Sequence, residues 1–184
     1  MARLELALIN FAIETLCENG YSLTTPPFLM NREAYEGVVD LTDFEEVMYK
    51  IEDHDLYLIA TSEHPITARF KNEIIELKDG PLKFAGISTN FRREVGAHGI
   101  SDRGIWRVHQ FSKVEQVIIC KPEDSKEMHN EILKNATQIF KKLEIPFRVI
   151  DICTGDIGTV AARKFDIEAW MPSSKKWKEV VSAS

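Results

Sequence analysis

Phe91-Arg92-Arg93-Glu94 and, beyond a stretch punctuated by Gly96, Gly99 and Gly104, Arg107-Val108-His109-Gln110-Phe111-Ser112-Lys113-Val114-Glu115 are the two runs on which the fold turns. The residues leading into the first run, Phe84 to Ser88, and those closing the second, Val114 to Cys120, are rich in β-formers. The whole segment predicts two strands joined by a long loop. Successive strand side chains alternate between faces, so Arg92 and Glu94 are expected to point one way, as are Phe111 and Glu115 on the returning strand. Antiparallel pairing would gather an arginine, two carboxylates and an aromatic ring on one surface. That surface suits a nucleoside triphosphate beside a small amine-bearing molecule: guanidinium forks bind phosphate oxygens, rings stack on bases and carboxylates hold amines. A solvated strand pair with ordinary cross-strand ion pairs has the same spacing, and spacing alone does not choose between them.

Two shorter clusters lie outward from this core. Thr61-Ser62-Glu63 follows a buried-strand pattern over Leu56 to Ala60, which sets a hydroxyl and a carboxylate at a strand end. A helix N-terminal cap ahead of Pro65, with Glu63 favouring the helix dipole, accounts for them too. Glu179 and Ser182 offer hard oxygen donors of the kind Mg²⁺ takes beside phosphates, although an edge strand with a polar end looks the same. The five histidines, His54, His64, His98, His109 and His129, lack the spacing of a metal-binding helix and have no serine or cysteine elbow nearby. His109 reads as a structural residue rather than a general base. Neither G-x-G-x-x-G nor G-x-x-x-x-G-K-[ST] occurs, so neither of those phosphate cradles is in use.

The remaining pattern predicts α+β architecture. Leu4, Leu8, Phe11, Ala12 and Leu16 repeat at helical steps until Asn19-Gly20, and Tyr21 to Thr25 reads as a strand running into Pro26-Pro27. Helical spacing resumes from Pro65 through Phe70 to Ile74. The clearest helix follows Pro122, with Met128, Ile132, Ala136, Ile139, Phe140 and Leu143 on one face. Phe147 to Ile152 alternates as a strand, and Asp166 to Met171 with Trp177 to Val181 reads as a hairpin across Pro172-Ser173-Ser174. The 184 residues, 44% apolar and 28% charged, predict one continuous globular domain. No apolar run approaches the roughly 18 to 20 residues that span a bilayer, and no leader pattern opens the chain. Cys17, Cys120 and Cys153 are odd in number and widely spaced, which favours a reducing, cytoplasmic setting over a disulfide framework. A net charge of −6 argues against holding nucleic acid by bulk electrostatics.

With these residues in order, the chain resembles the catalytic core of seryl-tRNA synthetases, class II aminoacyl-tRNA synthetases, and especially the archaeal-type sequences. The matching strings are Pro-Pro-Phe at 26–28, Tyr-Glu-Gly at 35–37, Ala-Thr-Ser-Glu-His-Pro at 60–65, Phe-Arg-Arg-Glu at 91–94 and Arg-Val-His-Gln-Phe at 107–111. They continue with Thr-Gly-Asp-Ile-Gly at 154–158, Asp-Ile-Glu-Ala-Trp-Met-Pro at 166–172 and Glu-Val-Val-Ser at 179–182. The resemblance implies an incomplete class II antiparallel sheet flanked by helices, forming a single partial catalytic domain over 1–184. Motif 1, the homodimer interface, would cover about 4–28; motif 2 about 84–120; and a metal and ATP strand about 177–184. It further implies ATP-dependent activation of L-serine to seryl-adenylate and transfer to tRNA(Ser), in the cytoplasm, with ATP and Mg²⁺.

By the same resemblance Arg92 is the catalytic residue, holding the α-phosphate and the amino-acid carboxylate. Glu94 would read the adenine amino group, Phe111 would stack under the base and Arg107 would bind the triphosphate. Arg93, Val108, His109 and Gln110 complete the ATP-binding strings of motif 2, as Val180 and Val181 do between Glu179 and Ser182. Thr61, Ser62 and Glu63 would bind serine with Arg92, Glu115 would meet its side-chain end, and Glu179 and Ser182 would hold Mg²⁺. Selection of serine would rest on hydrogen-bonding its hydroxyl.

The sequence departs from the family in four places. No helical tRNA-binding arm precedes Met1, and no glycine follows Gly158 to build motif 3. Ala183 replaces the family's cysteine, and Ile100 stands where relatives carry arginine in the loop. The expectation is therefore a core fragment or minimised version with weakened activation and weak or absent tRNA binding. Removal of motif 3 would also expose a sheet edge and apolar core, which predicts poor solubility or altered oligomerisation. An adenylating paralogue that loads a carrier protein and a non-catalytic dimerisation module are the rival readings. Such a paralogue is expected to use a cysteine-containing zinc site, and the three cysteines lie outside the matched strings. The module is expected to lose Arg92, Glu94 and Phe111, all of which are present.

Overall fold

A computed structural model describes residues 1–39, 46–94 and 106–184, which form two compact units, Met1–Ile119 and Cys120–Ser184. The loop glycines Gly96, Gly99 and Gly104, together with His98 and Ile100, lie outside the described residues.

In the first unit, helix α1 (Ala2–Glu18) ends as Asn19-Gly20 foretells. Gly20 takes a φ of 85°, its N–H donates to Cys17 O at 3.0 Å, and the Tyr21 N–H donates to Leu16 O at 3.1 Å. This left-handed cap satisfies two orphan carbonyls and brings Tyr21 onto Leu16. The chain then enters β1 (Ser22–Thr24), which pairs parallel with the first strand of the central hairpin. That hairpin is β4 (Leu82–Phe91) and β5 (Gln110–Ile119), in antiparallel register from Leu82 opposite Ile119 to Phe91 opposite Gln110. Both strands run further toward the loop than their β-formers alone predict.

Ala85, Val114 and Ile118 share the hairpin face covered by Leu16 of α1 and by Tyr21 just beyond its cap. The opposite face carries Gly86, Ser88 and Asn90 on β4 and Phe111, Lys113 and Glu115 on β5. A second core gathers Met30, Tyr35, Met48, Tyr57 and Ile59 around β2 (Leu29–Met30), α2 (Arg32–Glu36) and β3 (Tyr57–Leu58). Tyr35 and Tyr57 meet edge to face at 5.9 Å. Helix α3 (Glu63–Ala68) packs against β4 and β5. It is shorter than the 65–74 spacing suggests. Asn72 adopts a φ of 62°, which breaks the helical path, and Ile74 is left 97% exposed.

In the second unit a 3-10 turn (Pro122–Asp124) leads into α4 (Ser125–Lys142). Glu127 in its first turn and Lys141 and Lys142 in its last complement the helix dipole. The strands β6 (Phe147–Asp151), β7 (Phe165–Met171) and β8 (Lys176–Ala183) form an antiparallel meander in that order. The foreseen β7–β8 hairpin turns through Pro172–Lys175, where Lys175 has a φ of 52°. Helix α4 contributes His129, stacked on Phe165 at 5.2 Å, and Phe140, 5.9 Å from Phe147. Among the described residues no helix is long and apolar enough to cross a membrane.

Candidate active site

Arg92 sits one residue beyond the end of β4, and its N–H donates to His109 O at 3.0 Å, which extends the ladder by one step. Its Nε–H donates to Ala60 O at 3.3 Å. The guanidinium carbon lies 5.4 Å from the centre of the Phe111 ring, a cation–π contact. Tethered at Nε, the guanidinium is held with its planar fork ready to meet an anion. The expected meeting of Arg92 and Phe111 on one surface is what the structure shows.

Glu94 differs from the simple alternation. The strand has already ended at Phe91, and Glu94 has a φ of 50°, so the two-residue period no longer sets its direction. It reaches instead across the loop mouth to accept a hydrogen bond from Arg107 Nη1 at 2.7 Å. The expected pair of triphosphate and adenine residues is thus a mutual ion pair. Of the strings between them, Arg93 N–H donates to Val47 O at 2.8 Å and the His109 ring meets the Tyr49 hydroxyl through Nδ1. Gln110 is paired with Phe91, and Val108 lies just outside β5.

The Thr61-Ser62-Glu63 turn joins this surface from α3. Thr61 Oγ1 donates to Glu115 Oε2 at 2.8 Å and accepts from the Glu63 N–H at 3.3 Å. Thr61 therefore braces the turn and reaches the hairpin face together, while the N-cap position itself falls to Ser62, whose side chain makes no capping hydrogen bond. Lys113, two residues before Glu115 and on the same face, forms an ion pair with it. Burial raises the pKa of Glu63, the neighbouring Glu115 charge raises it further, and Lys113 and Arg92 pull it back. The same burial, reinforced by Lys113 and Arg92, drives His64 down to about 3, so this ring is neutral where it packs edge-on to Tyr35 at 5.4 Å. Ser62 Oγ and Asn90 Nδ2 are buried with no hydrogen-bond partner among the described residues, while Ser88 Oγ donates to Asn90 Oδ1 at 2.6 Å. Buried polar atoms left in this condition cost about 1–3 kcal/mol each, a cost that sites retain for a ligand or for strain.

Sequence reasoning missed Lys113, Tyr49, Ser88 and Asn90 as site neighbours. Lys113 was legible by the alternation that linked Phe111 to Glu115. Tyr49 was not, since its contact with His109 spans 60 positions.

In the second unit, Glu179 and Ser182 lie three apart, and a regular strand would turn them to opposite faces. The β7–β8 register prevents that. Ser182 pairs with Asp166 and Glu179 with Glu168, so the pairing skips Val180 and the extra residue restores both side chains to one face. Asp166 and Glu168, two apart on β7, share that face, and Asp166 Oδ1 is buried without a hydrogen-bond partner among the described residues. A carboxylate and a hydroxyl on one face are a donor set that fits Mg²⁺. Among the described residues no group of three or more His, Cys, Asp or Glu is placed to hold a metal, so a cation here would complete its shell with other oxygens.

A cavity of about 510 Å³ lies elsewhere on the first unit, lined by residues such as Pro26, Pro27, Met30, Ile66, Arg69 and Phe84. None of the expected site residues lines it.

A β4–β5 hairpin that presents an arginine, a stacked ring and carboxylates on one face, with a parallel β1 at its edge, defines a class. The chain belongs to the tRNA synthetase class II core domain family (G, H, P, S and T), which it matches over residues 46–184. Within that class its similarity is to the serine enzymes. It is 60% identical to a serine–tRNA ligase of Methanocorpusculum labreanum across all of its 184 residues, which make up 43% of that protein. The seryl-tRNA synthetase of Pyrococcus horikoshii, solved with ATP, superimposes with a TM-score of 0.95 at 53% identity, over 98% of this chain and 40% of that one. The cytoplasmic serine–tRNA ligase of Naegleria fowleri, solved with AMP, gives 0.91 at 42% identity, over 98% of this chain and 44% of that one. The chain thus spans less than half the length of the relatives it matches. The resemblance to seryl-tRNA synthetases and the α+β class II fold expected from sequence both hold.

Proposed function

We propose that this chain carries the serine-activation site of a seryl-tRNA synthetase: it binds ATP and L-serine and forms seryl-adenylate. The observation that carries this reading is the single surface on which Arg92 stacks over Phe111 while Thr61 is hydrogen-bonded to Glu115 beside Glu63. In the reaction a serine carboxylate oxygen attacks the α-phosphorus in line. The new O–P bond forms as the bond to the bridging oxygen breaks, and pyrophosphate leaves with the electron pair. Two anions must be brought together, so the work is positioning and charge neutralisation rather than proton transfer.

Arg92 offers its fork to the α-phosphate and to the serine carboxylate, and its Nε bond to Ala60 O keeps that fork from swinging away. Phe111 offers a ring face to adenine. Glu94 and Arg107, paired to each other here, exchange that pairing for the adenine amino group and the triphosphate. Arg93, Val108, His109 and Gln110 shape the strand ends through their main chain. Thr61, Ser62 and Glu63 receive the serine ammonium, and Glu115 accepts from its hydroxyl, with Lys113 offsetting the carboxylate charge before substrate arrives. Glu179 and Ser182, with Val180 and Val181 between them, would hold Mg²⁺, which supplies charge neutralisation to the phosphates. In the longer protein the seryl group passes to tRNA(Ser), in the cytoplasm and from a homodimer. That transfer forms an ester at the tRNA 3′ end and releases AMP.

Serine-dependent exchange of labelled pyrophosphate into ATP tests the reading, run beside Arg92→Ala and Glu115→Ala. Exchange that requires serine and falls in both variants is the expected result. Exchange that is absent, or that ignores serine, overturns it.

A further inference from the structure

Gly86 is an unexpected residue for the centre of a long strand, where glycine costs about 0.5–1 kcal/mol relative to alanine. Its φ does not lie in the left-handed region, so the backbone path does not demand it. Space does. A Cβ at 86 would stand 2.6 Å from Ser62 Oγ, 2.6 Å from Ile66 Cδ1 and 3.1 Å from Ser62 Cβ. Ser62 is fully buried and Ile66 is only 3% exposed, so neither has open solvent into which to retreat. Gly86 also lies directly opposite Glu115 in the β4–β5 register. The neighbour of Ser62, Thr61, is the residue that donates to Glu115 at 2.8 Å.

We infer that Gly86 is a positioning residue for amino-acid binding: it sets how closely the Thr61-Ser62-Glu63 turn lies on the sheet, and through that height it holds Thr61 and Glu63 in register with Glu115. The turn is fixed at two points. Over β4 it rests in van der Waals contact on a bare Cα, and over β5 it is held by the Thr61–Glu115 hydrogen bond. A methyl group at 86 removes the first support point and lifts the turn by a fraction of an ångström to an ångström. That displacement lengthens the second, while Phe111 and Arg92 lie on the same face toward the far end of the hairpin, where Arg92 keeps its main-chain anchor on His109 O. The inference rests on the proposed serine-activation reading only for its kinetic readout.

The test is a double-mutant cycle of Gly86→Ala and Ser62→Gly in the whole chain, with serine-dependent pyrophosphate exchange as the assay. Gly86→Ala is expected to raise the KM for serine about tenfold or more, with the KM for ATP within about twofold of the parent. In the Ser62→Gly background, where the Oγ and Cβ contacts are gone, the same substitution is expected to have a much smaller effect, whatever Ser62→Gly does alone. An equal fold-change in both backgrounds, or an equal loss toward ATP and serine, overturns the inference. Should Gly86→Ala fail to fold, Gly86→Ala with Ile66→Val, which removes Cδ1, carries the same cycle. If the parent chain shows no exchange, the activation reading fails and the positioning inference is read separately from the Glu63 amide resonance. That amide donates to Thr61 Oγ1. It is expected to shift in Gly86→Ala and return when Ser62→Gly is added; a resonance that stays in place overturns the inference.

Discussion

Arg92 is held at three points, its N–H on His109, its Nε on Ala60 and its guanidinium on the Phe111 ring, and only a planar fork fits all of these and still offers donors to an anion. Arg92→Ala is therefore expected to cut kcat/KM for pyrophosphate exchange by about 10²–10³. Arg92→Lys should recover little, because an ammonium cannot hold Ala60 O and bridge two oxygens together. A variant with near-parental kinetics would show that the α-phosphate is held elsewhere. Glu63 makes a different prediction, one about protons. Its pKa is raised by burial and by Glu115, so as pH falls it becomes neutral earlier than an ordinary carboxylate. A serine ammonium needs the ionised form. The KM for serine should thus rise as pH falls through the raised Glu63 value, above the ordinary 4.5, and Glu63→Gln should flatten that limb while weakening serine binding throughout. An unchanged pH profile in Glu63→Gln would assign the limb to another group.

At the scale of elements, α3 carries its own titration. His64 is pushed down to about 3 from 6.5 by burial and by the Lys113 and Arg92 charges, so the folded chain refuses a proton that the unfolded chain accepts. Its contribution to stability is whole above pH 6.5 and is lost as pH falls toward 3, at about 1.4 kcal/mol per pH unit. Urea unfolding of the parent and His64→Gln between pH 7 and pH 5 should show the slope in the parent and its loss in the variant. The β8 strand makes the complementary case for geometry. Without the skipped Val180, Glu179 would face away from Ser182. On the proposed reading, deleting Val180 is expected to abolish Mg²⁺-dependent strengthening of ATP binding in calorimetry, and Glu179→Ala should do the same, while ATP binding without the metal persists. What the sequence makes legible follows the same division. The α1 cap, the β4–β5 and β7–β8 hairpins and the joint facing of Arg92 and Phe111 are local consequences of period and turn chemistry, so they can be read along the chain. Glu94 cannot, because its left-handed φ cancels the period that spacing assumes. Nor can the bulge at Val180, the fit of Ser62 over Gly86 or the Thr61–Glu115 bond, which closes across 54 positions. Residues such as these enter a sequence reading only through resemblance to a family.

For the whole molecule, charge and apolar surface make opposite demands on partners. A net charge of −6 leaves little general attraction for a polyanion, so the tRNA contact proposed above would have to be local to particular residues rather than carried by overall charge. The apolar surface points toward protein contact instead. The face of α1 that reads as apolar from Leu4 to Leu16 is only half covered in the fold. Leu16 is 2% exposed and Phe11 and Ala12 are half-buried, whereas Leu4 and Leu8 remain 56% and 42% exposed on the same face. A fully buried leucine contributes roughly 1.5–3 kcal/mol, so covering this pair in each of two protomers would add several kcal/mol to association. This is the segment expected to build a homodimer. Sedimentation velocity across a concentration series should therefore show a monomer–dimer equilibrium for the parent chain. Leu4→Gln with Leu8→Gln should weaken it by at least about tenfold in Kd. Glutamine keeps high helix propensity, so circular dichroism should be unchanged and the loss can be assigned to the removed apolar surface rather than to a frayed helix. A parent that stays monomeric throughout, or a variant that dimerises as well as the parent, would remove α1 as the contact.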